Sequence, residues 1–149
     1  MKYRKLIVFS KFSIYICPQY FRKSHIMDAS LKERVVKTAA NLFVRHGIKA
    51  ITMDYIASQM GMSKRTLYEN FRDKDTLLLS CVQFMDDETK KETDEIEKKS
   101  KNAIDLFLSV YQLSLQKLRY TNRNYFSDLK KYHSSVCAYY EANKEKKLE

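Results

Sequence analysis

Thr52 to Leu78 reads TMDYIASQMGMSKRTLYENFRDKDTLL, and this stretch decides the fold. Thr52 stands where an N-cap belongs, with Ile51 and Ile56 at the two positions of a hydrophobic staple around it. The short helix that follows turns Ile56, Ala57 and Met60 inward, and Gly61 breaks it. A second staple, Met62 with Leu67, brackets Ser63 as the next N-cap, and a helix then runs to about Phe71 or Arg72. Gly61 is suited to the positive φ of the turn between them, which a side chain resists. Ala57, four residues before the glycine, lets the two helices approach closely. Leu67, six residues after it, is apolar where the second helix must face its support. Two short helices joined by a tight glycine turn make a helix-turn-helix.

The charges in this stretch run against helix electrostatics. Lys64 and Arg65 sit in the first turn of one helix and Lys74 in the first turn of the next, where a cation opposes the macrodipole at roughly 0.3–1 kcal/mol per exposed group. A local rule broken without structural gain points to a functional surface. A phosphate reverses the sign, because its charge is attracted both to the helix N-terminus and to the cations beside it.

Working outward, Ser30 and Glu33 have the spacing of a capping box. Leu31, Val35, Ala39, Leu42 and Phe43 then recur every three or four residues, and Arg45-His46-Gly47 supplies cations and a C-terminal glycine to end the helix. After the central stretch, Asp73 opens a longer helix with Leu78, Cys81, Val82 and Met85 on one face and the solvated run DDETKKETDEIEKKS beyond. The period of 3.6 residues predicts a further helix over 102–120, with Ile104, Phe107, Leu108, Tyr111, Leu115 and Leu118 on a core face. Tyr125, Phe126, Leu129, Tyr132 and Val136 give a last stripe that breaks near Ser134-Ser135.

Two glycines and one proline in 149 residues leave too little turn chemistry for hairpins or phosphate-cradling loops, so the expected class is all-α. The net charge of +10 is uneven. Residues 1–26 carry six Lys or Arg and no acid, residues 27–80 nine against six, and residues 81–149 thirteen against twelve. The basic start has two readings, a tail or upstream extension ahead of Met27, and an arm that touches nucleic acid. Cys17, Cys81 and Cys137 form no pair at ligand or disulfide spacing and read as reduced thiols of a cytoplasmic protein. The uncharged run from Phe12 to Phe21 is too short to span a bilayer, and no signal-peptide pattern surrounds it.

Along Ser30 to Leu79 the sequence resembles the tetracycline-repressor (TetR) family of bacterial transcription regulators, following its pattern of Thr, Ile-Ala, Gly, Ser, Thr-Leu-Tyr, Phe, Lys and Leu. The resemblance implies a homeodomain-like three-helix DNA-binding head over 28–75, an extension over 1–27, and a helical effector-binding and dimerisation body over 76–149. It implies a homodimer on a double-stranded, near-palindromic operator, with Thr52, Ser63, Lys64, Arg65, Thr66, Tyr68 and Lys74 as the DNA-binding residues. Position 65 is often glycine in the family. An arginine there could read guanine through O6 and N7 or hold a phosphate.

The resemblance also implies an effector pocket, for which Phe84, Phe107 and Tyr111 are the candidates, and a repressor controlled by a small molecule. Family members usually continue for several more helices, the last two of which pair with a partner subunit. The competing reading is therefore a truncated helix-turn-helix protein that acts as an interaction module without productive operator binding. His25, His46 and His133 have no partner at metal-ligand or catalytic spacing, so the chain is read as having no metal site, no cofactor and no catalytic residue.

Overall fold

Four of the helices open on a side-chain oxygen placed ahead of their first turn. The computed structural model describes residues 28–146, and among them the chain forms helices α1 (Ala29–His46), α2 (Met53–Gln59), α3 (Lys64–Asn70), α4 (Lys74–Lys99), α5 (Ala103–Tyr120), α6 (Tyr125–Tyr132) and α7 (Ser134–Lys146), with no strand. The side chains of Thr52, Ser63, Asp73 and Asn102 each accept the backbone N–H three residues on, at the starts of α2, α3, α4 and α5. The start of α1 differs from expectation. Its N-cap is Asp28, whose carbonyl accepts from Lys32 N, so Ser30 lies inside the first turn and no side-chain cap closes the end. The basic extension 1–27, with Cys17 and His25, lies outside the described residues.

The core is built on α1, which buries Val35, Val36, Ala39, Ala40 and Phe43. Val35, Ala39 and Phe43 are the expected stripe. Leu31 and Leu42 only flank it, while Val36 and Ala40 widen it toward α4, which presents Leu77, Leu78, Cys81 and Val82. On the other side α2 and α3 contribute Ile56, Ala57 and Leu67, with Ile48, Ile51 and Phe71 from the flanking turns. Side chains of this size stabilise by roughly 1.5–3 kcal/mol each on full burial. Tyr125 and Leu129 of α6 and Val136 of α7 close the same core from the far side, so it runs without interruption across residue 75.

Hydrogen bonds from the body fix the end of α1 and the loop after it. The α1 helix ends at Gly47, whose φ of 86° suits glycine, and a Cβ built there would meet Asp128 Oδ2 at 3.3 Å. Asn122 N donates to Val44 O at 2.7 Å and Asn122 Nδ2 to Arg45 O at 3.4 Å, supplying the last carbonyls of α1 with donors from the body. Lys49 N donates to the buried Asp128 Oδ2 at 2.9 Å. His133, at the break between α6 and α7, does have a partner, Asp75 Oδ1, 2.6 Å from its Nδ1.

The expected core face of α5 is the clearest departure. No residue of α5 is buried, and Ile104, Phe107, Leu108, Tyr111, Leu115 and Leu118 are all exposed. Its inward side is the half-buried set Leu106, Val110, Leu113 and Lys117, which faces α4. Lys117 Nζ donates to Thr89 Oγ1 at 2.7 Å and pairs with Glu92 at 2.5 Å. The period is as expected, but the opposite side faces the protein.

Candidate nucleic-acid interface

The site is assembled by α2, the Gly61 turn and α3. Gly61 takes φ 63°, its N–H donating to Ser58 O at 3.1 Å, and Met62 N donates back to Ala57 O at 3.0 Å. Nothing lies within 4 Å of a Cβ built at Gly61, so the requirement there is conformational and not steric. Leu67 and Phe71 are fully buried beneath α3. With that face fixed, the helical period leaves Ser63, Lys64, Arg65, Tyr68 and Glu69 in solvent, with Thr66 at the margin.

Cap chemistry sets what the polar groups can still do. Thr52 Oγ1 accepts Tyr55 N at 3.1 Å, which leaves the hydroxyl hydrogen of an exposed residue for an acceptor outside the protein. Ser63 Oγ accepts Thr66 N at 3.1 Å and lies 2.8 Å from Thr66 Oγ1. Tyr68 stands 47% exposed on the outer face, and Tyr55 on α2 stands beside the motif at 43%. Tyr55 was not among the sequence-predicted residues, and its only signal was an aromatic residue on the outward side of a short helix.

The cations are held by exposed ion pairs. Lys64 bonds Asp54, which joins the start of α3 to the first turn of α2, and Arg65 Nε donates to Glu69 Oε1 at 2.7 Å one turn along. Exposed pairs of this kind are worth about 0–1 kcal/mol, so a competing phosphate can replace the carboxylate at little cost.

Lys74 departs from the expected phosphate contact. Its Nζ donates to Ile48 O at 2.6 Å and lies 5.7 Å from the centre of the Phe43 ring, so the side chain folds inward. Burial lowers its pKa from the ordinary lysine value, opposed by the charges of Asp128 and Asp75. In this arrangement Lys74 holds the α1–α2 loop and does not extend the outward cationic surface. Its neighbour Asp73 is kept below the usual carboxylate range first by the backbone N–H of Thr76 and then by the Thr76 hydroxyl.

The predicted pocket residues separate. A cavity of about 500 Å³ opens between α4, α5, α6 and α7 and is lined by Val82, Phe84, Met85, Lys117, Tyr125 and Phe126, among others. Phe84 lines this cavity, whereas Phe107 and Tyr111 stack on one another at 6.3 Å on the outward face of α5. Tyr125 was missed as a lining residue. Its hydroxyl is buried with no hydrogen-bond partner among the described residues, and burial raises its pKa. Among the described residues no three His, Cys, Asp or Glu side chains are placed to hold a metal ion, and no helix is long and apolar enough to cross a membrane.

Comparison with known proteins bears on the same segment. Residues 35–81 match the family model for bacterial regulatory proteins of the tetR family. The chain is 43% identical over 53 residues to the uncharacterized HTH-type transcriptional regulator YerO of Bacillus subtilis, covering 36% of this chain and 18% of that protein. An HTH-type transcriptional regulator of Staphylococcus aureus is 35% identical over 52 residues, 35% of this chain and 28% of its own length. YvaF of Bacillus subtilis, another uncharacterized HTH-type transcriptional regulator, is 30% identical over 104 residues, 69% of this chain and 54% of that protein. The match thus spans about half of YvaF and less of the other two.

Proposed function

We propose that this chain, which belongs through its head to the tetR family of bacterial regulatory proteins, is a cytoplasmic one-component repressor that binds a near-palindromic DNA operator as a homodimer and releases it when a small molecule occupies the cavity beside α4. The observation that carries this reading is the outer face of α3, where Ser63, Lys64, Arg65 and Tyr68 stand opposite the buried Leu67 and Phe71. Inserted in a major groove, that face meets phosphates with the N-terminus of α3 and with Lys64, while Thr52 and Tyr68 offer hydroxyls to the backbone. Lys64 exchanges Asp54 for a phosphate. Arg65 leaves Glu69 either for guanine O6 and N7 or for a second phosphate, and only the first gives sequence preference. Lys74 joins the phosphate contacts only by giving up Ile48 O.

The cavity supports the regulatory half of this reading. A space of about 500 Å³ falls within the roughly 300–1,000 Å³ of small-molecule sites, and its wall is mainly apolar and aromatic. The unpartnered Tyr125 hydroxyl suits a ligand with a hydrogen-bonding group. Val82, Phe84 and Met85 form the α4 wall, and α4 begins at Asp73 directly after the recognition helix. A ligand that displaces α4 changes the separation of two heads whose half-sites lie about 34–36 Å apart.

The test is a salt titration of binding to the DNA upstream of the chain's own gene. Lys64→Ala should reduce the salt slope by about one, and Arg65→Ala should do the same if Arg65 holds a phosphate but should instead relax preference at one base pair if it reads guanine. A double variant with unchanged slope and affinity would remove α3 as the DNA-reading element. A wild-type chain that binds every DNA sequence equally would favour the interaction-module reading.

A further inference from the structure

Lys49 and Lys131 converge on one side chain, that of Tyr132. Lys49 Nζ lies 5.4 Å and Lys131 Nζ 5.3 Å from the centre of the Tyr132 ring, and all three residues are exposed. Lys49 belongs to the loop between α1 and α2, whereas Lys131 and Tyr132 close α6. The two ammonium groups repel one another, and what they share is a phenol, whose pKa they hold below the ordinary tyrosine value. Two acids tied to the same loop and helix end are engaged elsewhere: Asp128 accepts Lys49 N, and Asp75 lies against His133. Among the described residues neither lysine forms an ion pair. Arg45 and His46 at the end of α1 and Lys130 beside Lys131 are exposed as well and add to the positive side. Like charges gathered in this way are unfavourable until an anion completes the group.

The cluster lies at the edge where Thr52 presents its hydroxyl. Lys49 precedes Thr52 by three residues, so at most about 11 Å separates their Cα atoms. Lys74, in the first turn of α4, holds the same loop through Ile48 O at 2.6 Å. His133 Nδ1, one residue beyond Tyr132, lies 2.6 Å from Asp75 Oδ1 in that same turn. The end of α6 is thus tied both to the start of α4 and to the loop that leads into α2, the two segments that flank the helix-turn-helix. We infer that Lys49, Lys131 and Tyr132 form a second phosphate site, through which α6 of the body grips the DNA backbone beside the half-site that α3 enters. The inference rests on the regulator reading, because it takes the DNA held by the head as its polyanion. At about 3.4 Å of helix axis per phosphate on each strand, the cluster lies within about three phosphates of the one that Thr52 meets. A phosphate has oxygens enough to accept from both ammonium groups and from the Tyr132 hydroxyl. Exposed cation–π contacts are weak, so exchanging the ring for a phosphate costs little. Such a contact adds affinity and salt dependence without sequence preference. Lys131 and Tyr132 also lie outside the matched residues 35–81, so the site belongs to the body and not to the head alone.

The experiment measures binding of the full chain to a duplex spanning its footprint upstream of its own gene, scanned with single neutral methylphosphonates. Lys49→Ala/Lys131→Ala should reduce the salt slope by about two per half-site. Its urea midpoint should be unchanged, because both side chains are exposed and Lys49 keeps its backbone bond to Asp128. Lys49→Arg/Lys131→Arg should keep the wild-type slope. If the double change disturbs the loop, Lys131→Ala alone should still lower the slope by about one. For wild type, a methylphosphonate beside the Thr52 contact should weaken binding about fivefold, and the double alanine variant should be indifferent to that same position. A double variant with the wild-type slope would overturn the site. A lower slope with wild-type sensitivity at every methylphosphonate would also overturn it, by assigning the lysines to a free anion. Lys64→Ala should lower the slope while leaving the flanking methylphosphonate effect in place. A wild-type chain without salt-dependent DNA binding removes both readings, whereas a slope that responds to Lys64→Ala and not to Lys49→Ala/Lys131→Ala removes only this one.

Discussion

The helix-turn-helix head and helix α5 carry similar apolar periodicity and have opposite fates. In the head, Val35, Phe43, Ile56, Leu67 and Phe71 are buried among α1, α2, α3, α4 and the α6–α7 residues behind them, and the large exposed side chains are polar or phenolic. In α5 the six side chains of the expected core face are exposed. A helix face is buried only if another element reaches it, and in the head the short turns guarantee that. The contrast separates a surface covered by its own neighbours from one that no described residue covers.

The largest expected effect that sharpens this contrast is in the head. Phe43→Ala should destabilise by about 3–5 kcal/mol in urea unfolding, whereas Phe107→Ala should stay within about 0.5 kcal/mol. Equal costs would mean that α5 is covered within the single chain. Next, Asp128→Ala leaves Lys49 N without its acceptor inside the protein and should cost about 1–3 kcal/mol, with faster hydrogen exchange at the Lys49 amide as the local readout. Ser63→Ala should cost about 1 kcal/mol by removing the cap of α3, and Ser63→Asp should recover it while weakening DNA binding by charge. A Ser63→Ala variant as stable as wild type would show that the tertiary contacts of Leu67 and Phe71 alone hold α3.

The smallest effect concerns pH. Because burial lowers the Lys74 pKa in the folded chain, the unfolded chain binds the proton more tightly in the window just below the ordinary lysine value of 10.5. Stability should therefore rise with pH through that window relative to Lys74→Met, which lacks the titration. Parallel pH profiles for the two chains would indicate that Lys74 swings out to solvent.

What was legible follows from how local each cause is. Thr52 and Ser63 were readable as caps, and Asp73 and Asn102 as helix starts, because an N-cap oxygen and the N–H it accepts are three residues apart. Gly61 was readable because positive φ is a property of one residue. Asp28 was missed because a backbone carbonyl opens α1, and Ser30 with Glu33 satisfied a pattern that the chain did not need there. Lys74 looked outward because its partner, Ile48 O, is 26 residues away. The Asp128 contact to Lys49 spans 79 residues and had no local sign. The α5 stripe shows the same limit from the other side, since periodicity tells which residues share a face and says nothing of what lies opposite.

The continuity of the core across residue 75 has a consequence for recombination of modules. Val35 and Phe43 share one cluster with Tyr125, Leu129 and Val136, and Asn122 supplies donors to the end of α1. A chimera that joins this reading head to a foreign sensor at the start of α4 would inherit the helices but lose the floor they stand on. The transferable unit is set by the packing and includes α6 and α7, so a functional graft has its junctions in the solvated half of α4 and in α5, and not at the boundary between head and body that the chain order suggests.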